Sequence, residues 1–451
     1  MSSAVGANSD PIESREQLLA YFRAGEKTEE ARGIGTEHEK FVFRRDDLSM
    51  ISHAGDGGLQ DLFERLVAAF DWKPLREAGR IIGLEHPDRR VTLEPGGQFE
   101  LSGAITQTIG ETEEELDQHF DQLRSVAEED FYFTCWGMNP FYRPDQVPLV
   151  PKQRYDIMRS YLPTRGELSP WMMKTSCTIQ ANYDYVSEQD AAELVRSALL
   201  VSPIVSALFA NSPYRGGADT GMQSFRGFAW TRTDPDRTGW PEFMYRDDWG
   251  YGDYLDYILD IPMFFVEREG RLIPMIGKTF REYIHDGHGV YEPTVGDFEL
   301  HLSTAFPEIR MKQFVEVRGA DGGPRSHMLA LPALWKGLLY HVPSRRRAAG
   351  LVDDLSVEEH EQLFMEVYDD GLDAVTPVGR VGELASELID IATEGLVALA
   401  DKYDHASEAP YLAPLASIVE SGTTLADELR EDFRRLDGDR RKIIEKWSLL
   451  D

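Results

Sequence analysis

Strand-like alternation in this 451-residue chain is confined to its early and central parts, and from residue 356 the pattern is helical to the end. Strands gathered ahead of helices predict an α+β architecture, because βαβ units would interleave the two periodicities throughout. Strands are expected over 34–43, 80–85, 90–102, 174–185, 227–232, 263–267 and 314–318, the third bent at Pro95-Gly96-Gly97. Helices are expected over 14–24, 57–70, 111–129 and 187–201, with another over 202–211 begun by Pro203. Three more follow over 356–371, 381–403 and 425–447. No glycine-rich nucleotide fingerprint is present: GADGG (319–323) lacks the lysine and spacing of a P-loop.

Against 47 Lys and Arg the chain sets 79 Asp and Glu, a formal net charge of −32 spread along its length. Such a surface repels nucleic acid and anionic lipid, and a phosphate-bearing substrate must find a locally basic pocket within it. With 42% hydrophobic residues the chain has ample material for a core. Cys135 and Cys177 are too few for a disulfide framework or a zinc site, which fits a reducing compartment. No run reaches 18 uninterrupted apolar residues, and residues 1–19 lack the basic and apolar regions of a leader. These features predict a cytoplasmic protein without a membrane span.

Residues able to do chemistry concentrate in four segments. In GTEHEKFVF (35–43), alternation sets Glu37 and Glu39 on one face, with His38 and Lys40 on the other. Two carboxylates running into an apolar stretch repel each other unless a cation lies between them. The alternative is a solvated edge strand with its acids outward. In LEPGGQFELSG (93–103), Glu94 and Glu100 flank a turn that can fold both towards one site, unless it is a surface hairpin. Four such oxygen donors suit magnesium. In KTSCTIQANYDY (174–185), Thr178, Gln180 and Asn182 share a face fit to line a polar pocket, and Cys177 reads as a small buried hydrophobe. In FPEIRMKQFVEVRGADGGP (306–324), Lys312, Phe314, Glu316 and Arg318 share a face. They form either a salt-bridge ladder or a metal-binding carboxylate between two cations for phosphate oxygens. Arg154, in KQRYDIM, and Arg226, beside Phe225, Phe228 and Trp230, are either stacked structural residues or forks for a substrate carboxylate.

Together these segments resemble glutamate–cysteine ligase of the plant and proteobacterial type. GTEHEKF (35–41), PKQRYDIM (151–158), SCTIQANYDY (176–185), LFANSPY (208–214), WTRTDPDRTG (230–239), HLSTAFPEIRMK (301–312) and EVRGADGGP (316–324) stand in the family's order. They cover about 33–339. The resemblance implies a glutamine-synthetase-like, curved, mainly antiparallel sheet forming a funnel with helices packed outside. It implies one catalytic domain over 1–451, with the sheet region at about 33–340 and a mostly helical part at about 341–451. The implied reaction joins the γ-carboxylate of L-glutamate to the amine of L-cysteine through a γ-glutamyl phosphate made from ATP. A related ligase using another amine is the alternative.

By the same resemblance, Glu37, Glu39, Glu94, Glu100 and Glu316 are the ligands of the cofactor Mg2+. Arg154, Arg226 and Arg318 are the catalytic cations, Lys312 and Arg318 face ATP phosphates, and Gln180 and Asn182 complete the metal and nucleotide wall. Partners are then small molecules only, in a monomer or homodimer. The additional cysteines of plant members are absent, so thiol regulation is not expected, and Arg232 stands where an acid is expected.

Overall fold

The computed structural model describes residues 8–450. Its strands of main interest are β1 (Ile34–Arg44), β2 (Lys73–Glu77), β3 (Arg80–Glu85), β4 (Arg90–Leu93), β5 (Phe99–Thr106), β6 (Phe131–Thr134), β7 (Ile179–Tyr183), β8 (Ile309–Met311) and β9 (Val315–Val317). They form one open sheet in the order β8-β9-β7-β1-β5-β4-β3-β2, with β6 pairing only with β1. Every pairing in it is antiparallel, as an α+β chain with segregated strands requires. Strand β1 is central because it is long enough for three partners. Its first half pairs with β5 and β7, and Phe41–Arg44 pair with β6.

Seven helices position the site: α1 (Arg15–Arg23), α2 (Leu59–Ala69), α3 (Ile109–Ala127), α4 (Gln153–Tyr161), α5 (Ser169–Thr175), α6 (Glu188–Leu208) and α7 (Phe225–Trp230). Two further long helices are α8 (Arg325–Leu339) and α9 (Val381–Tyr403). Capping boxes start α1 at Ser14 with Gln17, and α3 at Thr108 with Glu111. Helices α8 and α9 cross in near contact: a Cβ on Gly337 would sit 2.3 Å from the Ala392 carbonyl, and one on Gly395 2.0 Å from the Gly337 carbonyl. One hydrophobic cluster runs from Leu18 to Leu450, so the sheet region and the C-terminal helices share a core.

Four expectations need correction. Residues 227–232 are not a strand but fall largely in α7, whose cap Ser224 accepts a hydrogen bond from the Gly227 N–H at 3.1 Å. The aromatics around Arg226 gave a β-like composition that the cap overrides. Residues 187–211 are not two helices. Helix α6 runs through Pro203, whose fixed φ suits a helix and whose lost hydrogen bond is outweighed by burial of nearly the whole second half. By length and composition α6 could cross a membrane, but 83% of its apolar window is buried inside the protein. The strand expected at 174–185 begins at Ile179, since Lys174 and Thr175 finish α5. The helix expected over 425–447 divides into Leu425–Arg435 and Arg440–Lys446, because Asp437 and Gly438 both take positive φ.

Candidate active site

The register of the sheet gathers the acids. Glu39 on β1 lies directly opposite Glu100 on β5, and Glu100 opposite Thr92 on β4. Glu37 is paired with Ser102 on one side and Gln180 on the other. Like charges placed directly across a ladder destabilise it. Hydroxyls and amides temper the repulsion: Glu100 accepts from Thr92 Oγ1 at 2.8 Å and Ser102 Oγ at 2.9 Å, and Glu39 accepts from the Thr178 N–H at 3.1 Å. They do not cancel it. Burial, reinforced by Glu94 and Glu100, holds the Glu39 carboxyl well above its ordinary range. Burial and then Glu94 push Glu100 up to about 7.

These acids open onto a cavity of about 170 Å3 lined by Glu37, Glu39, Glu94 and Glu100 together with Lys152, Arg154, Arg226, Arg310, Lys312 and Arg318. Two more cations than carboxylates line it, in a chain whose net charge is −32. This is the local basic pocket that an acidic protein needs in order to hold phosphate. Gln180 and Thr178 also reach the wall.

Two expected site residues do not line this cavity. Glu316 is fully buried, and its two oxygens are already taken. Arg310 grips it with Nε at 2.7 Å and Nη2 at 2.8 Å, Arg318 Nη1 lies at 2.5 Å and Lys312 Nζ at 3.5 Å. Those three cations hold its carboxyl well below the ordinary range despite burial. In this structure Glu316 therefore orients the cations that line the wall. Asn182 sits one step behind, its amide donating to Glu37 Oε1 at 3.0 Å. The β9 face carries a ladder of ion pairs whose members Lys312 and Arg318 line the cavity.

Arg226 is placed by the segment that fails as a P-loop. Asp321 accepts from the Asn211 N–H at 2.8 Å, Ser212 Oγ at 2.6 Å and Ser224 Oγ at 3.0 Å. Ser224 caps α7, and Ser212 Oγ accepts from the Arg226 N–H at 3.0 Å. The guanidinium itself donates to the carbonyls of Gly319 at 3.0 Å and Arg318 at 3.1 Å. The GADGG turn thus acts as a rigid joint for Arg226. Cys177 is fully buried and burial raises its thiol well above the ordinary value, so it is inert packing.

Several buried polar atoms in or just behind the cavity wall have no hydrogen-bond partner among the described residues: Arg154 Nε, Arg226 Nε, Trp230 Nε1 and Asn182 Oδ1. Buried polar groups are nearly always satisfied, so a cluster of unsatisfied ones marks where ligand atoms belong. Among the described residues no three carboxylates converge as a ready-made metal cage. The donor chemistry fits a hard cation that takes one or two protein carboxylates and completes its shell with water and phosphate oxygens, the habit of magnesium.

Sequence reasoning missed Arg310, Lys152 and Tyr155 on the wall. Arg310 was available, since the alternation through Lys312 extends back to it. Lys152 and Tyr155 were not, because only the fold brings them to the Leu93 carbonyl, at 2.7 Å each.

An open antiparallel sheet carrying carboxylates and an excess of guanidinium and ammonium groups on one cavity defines a site for polyanionic substrates. Comparison with known proteins makes the class specific. A family model described as glutamate-cysteine ligase family 2 (GCS2) matches residues 33–446. The chloroplastic glutamate–cysteine ligases of Brassica juncea and Arabidopsis thaliana are each 39% identical to this chain over 424 residues. Those alignments cover 93% of this chain and 81% and 80% of the relatives. The glutamate–cysteine ligase of Francisella tularensis, solved in complex with AMP, shares the fold at a TM-score of 0.57 and 12% identity. That match covers 92% of this chain and 87% of the other. The chain belongs to glutamate–cysteine ligase family 2. The relatives' chloroplastic names overturn the cytoplasmic placement drawn from composition, because cysteine scarcity reports a redox condition and not an address.

Proposed function

We propose that this chain joins the γ-carboxylate of L-glutamate to the amine of L-cysteine, with ATP as phosphoryl donor, giving γ-glutamylcysteine, ADP and phosphate. Family membership over nearly the whole chain supports the reaction. The observation that carries it at the level of residues is the cavity that combines buried, mutually repelling carboxylates with an excess of fixed cations.

Phosphoryl transfer onto a carboxylate crowds several negative charges together, and preorganised positive groups lower that barrier most. In this reading Arg154 and Arg226, each with an unpartnered Nε, fix the carboxylates of glutamate. Arg310, Lys312 and Arg318 are held in place by Glu316 and neutralise phosphate oxygens. Mg2+, bound by carboxylates among Glu37, Glu39, Glu94 and Glu100, would supply further charge neutralisation of the phosphates. Gln180 orients Arg318 by accepting from its Nη1 at 3.1 Å, and Asn182 orients Glu37. No residue serves as a covalent nucleophile. We read residues 1–451 as one catalytic domain.

The test is ADP release with glutamate, Mg2+ and a panel of amines. Cysteine-dependent turnover is expected; turnover only with a different amine would remove cysteine as acceptor, and no amine-dependent turnover would overturn the ligase reading. In the same assay Arg226→Ala is expected to lower kcat/KM by about 10²–10³-fold, the usual loss when one preorganised charge-stabilising donor is removed. A melting curve must accompany it, because Arg226 also holds two carbonyls. Wild-type kinetics in that variant would return Arg226 to a purely structural part.

A further inference from the structure

Strands β4 and β5 are joined by the turn at residues 94–98, which presents Glu94 to the cavity. The Glu94 carboxylate makes no hydrogen bond or ion pair with any described residue. Its place is therefore set by the backbone that carries it. We propose that Gln98 is the positioning residue for Glu94: its buried amide bolts this turn to the segment that holds Glu39, and so sets the two carboxylates against each other as one cation site. That role rests on the ligase reading, in which these acids bind Mg2+, and goes beyond it by naming what holds them in place.

Gln98 is 1% exposed, and its amide is fully used. Oε1 accepts the Gly96 N–H at 2.8 Å, and Nε2 donates to the carbonyls of Ser176 at 2.8 Å and Met173 at 3.3 Å. The first bond closes the turn on itself, and the other two carry it across to the end of α5. Two residues beyond Ser176, the Thr178 N–H donates to Glu39 Oε2. One side chain thus spans from the turn bearing Glu94 to the entry of β7 that fixes Glu39. A buried amide with every partner in place is rigid, because breaking any of its bonds strands a polar group away from water.

The backbone of the turn is pressed onto the same segment. A Cβ on Gly96 would lie 2.1 Å from the Lys174 carbonyl, so only glycine lets the turn sit this close to α5. Within the turn the Glu94 N–H donates to the Gln98 carbonyl at 3.0 Å, and the Gly97 N–H to the Glu94 carbonyl at 2.9 Å. On its other side the Val150 N–H donates to the Pro95 carbonyl at 2.9 Å, and Lys152 and Tyr155 hold the Leu93 carbonyl. Lys152 and Tyr155 line the cavity themselves, so Gln98 is the tie whose removal leaves every cavity cation in place.

This tie works against a force. Glu94 and Glu100 both repel Glu39, and a turn free to move would relieve the repulsion by swinging Glu94 away. Holding the acids at a fixed separation keeps them ready for a cation, the usual service of groups that orient metal-binding side chains.

Gln98→Met keeps the bulk and removes all three hydrogen bonds. Cation binding is read directly by titrating the full chain with Mn2+, which shares magnesium's preference for octahedral oxygen donors and loses its free-ion EPR signal on binding. The variant is expected to bind Mn2+ about ten- to a hundredfold more weakly, the range for removing a group that orients a metal ligand. Glu94→Gln should show a loss of the same order. The double variant should lose no more than the worse of the two, since Gln98 acts through Glu94. Cysteine-dependent turnover of Gln98→Met should fall at low Mg2+ and return at high Mg2+, which a folding defect does not allow. Unchanged Mn2+ affinity, losses that multiply in the double variant, or turnover that high Mg2+ fails to restore would overturn the positioning role. Gln98→Asn, whose amide is one methylene short, must show the same pattern if Gln98→Met does not fold; failure of both to fold would make Gln98 a folding residue and overturn the role as well. Absence of Mn2+ binding by the wild-type chain would instead overturn the cation site itself, and any part for Gln98 with it.

Discussion

Glu316→Ala is expected to cost about 3–5 kcal/mol of folding stability, the range for removing one partner of a buried ion pair. The residue is fully buried among Arg310, Lys312 and Arg318, and burial, reinforced by Arg310, lowers the affinity of Lys312 for its proton, to a pKa of about 8. With the carboxylate gone, three cations face one another in a buried site. Chemical denaturation at constant m-value reads the loss directly as a lower midpoint. Activity should fall with it, since the cations would no longer hold their geometry. The competing assignment, Glu316 as a ligand exposed to a metal, makes the opposite prediction for the ligand-free protein: losing a repelled carboxylate would leave stability unchanged or raise it. An unchanged midpoint would therefore return Glu316 to the metal site.

The same residue shows how far a sequence can be read. Alternation placed Lys312, Glu316 and Arg318 on one face, and it could not say which of them would point past its neighbours into the cavity. That depended on Arg310, whose fork closes both Glu316 oxygens. Glu37, Glu39, Glu94 and Glu100 were legible because a period of two is a local property and β1 and β5 obey it. Their meeting was not legible, because it requires the pairing of Glu39 with Glu100 across 61 positions of chain.

Arg226 illustrates the other limit. Its neighbours Phe225, Phe228 and Trp230 read as a strand, whereas Ser224 and the distant Asp321 make the segment a short helix. A serine cap was present in the sequence, but its partner Asp321 lies in a turn whose only visible property was that it is not a P-loop. Glu308 stands at the bend between Pro307 and the first residue of β8, and the glycine at 319 leaves room for its side chain.

Glu39→Gln should separate function from stability most sharply. Carboxylate and amide have nearly the same shape, so packing is conserved, while the charge available to a cation and to the phosphates is removed. Turnover is expected to fall by about 10²–10³-fold, comparable to deleting one preorganised electrostatic group. Stability should move the other way. The Glu39 carboxyl is held well above its ordinary value by burial, Glu94 and Glu100. An acid whose folded pKa is raised binds more protons folded than unfolded, so it weakens the fold as pH rises from its unfolded pKa through its folded one. Towards acid pH the raised pKa favours the protonated wild-type carboxyl, and the amide substitutes for it at little cost. At pH 8 the wild type must keep a repelled charge or an unfavourable proton, and the variant has neither burden. The melting temperature of Glu39→Gln should therefore match the wild type at pH 5 and exceed it at pH 8, without added metal. Saturating Mg2+ should erase the advantage, because a bound cation stabilises only the protein that has kept its carboxylate. A variant less stable than the wild type at pH 8, with activity intact, would show that Glu39 is a structural hydrogen-bond acceptor for Thr178 and no part of a cation site.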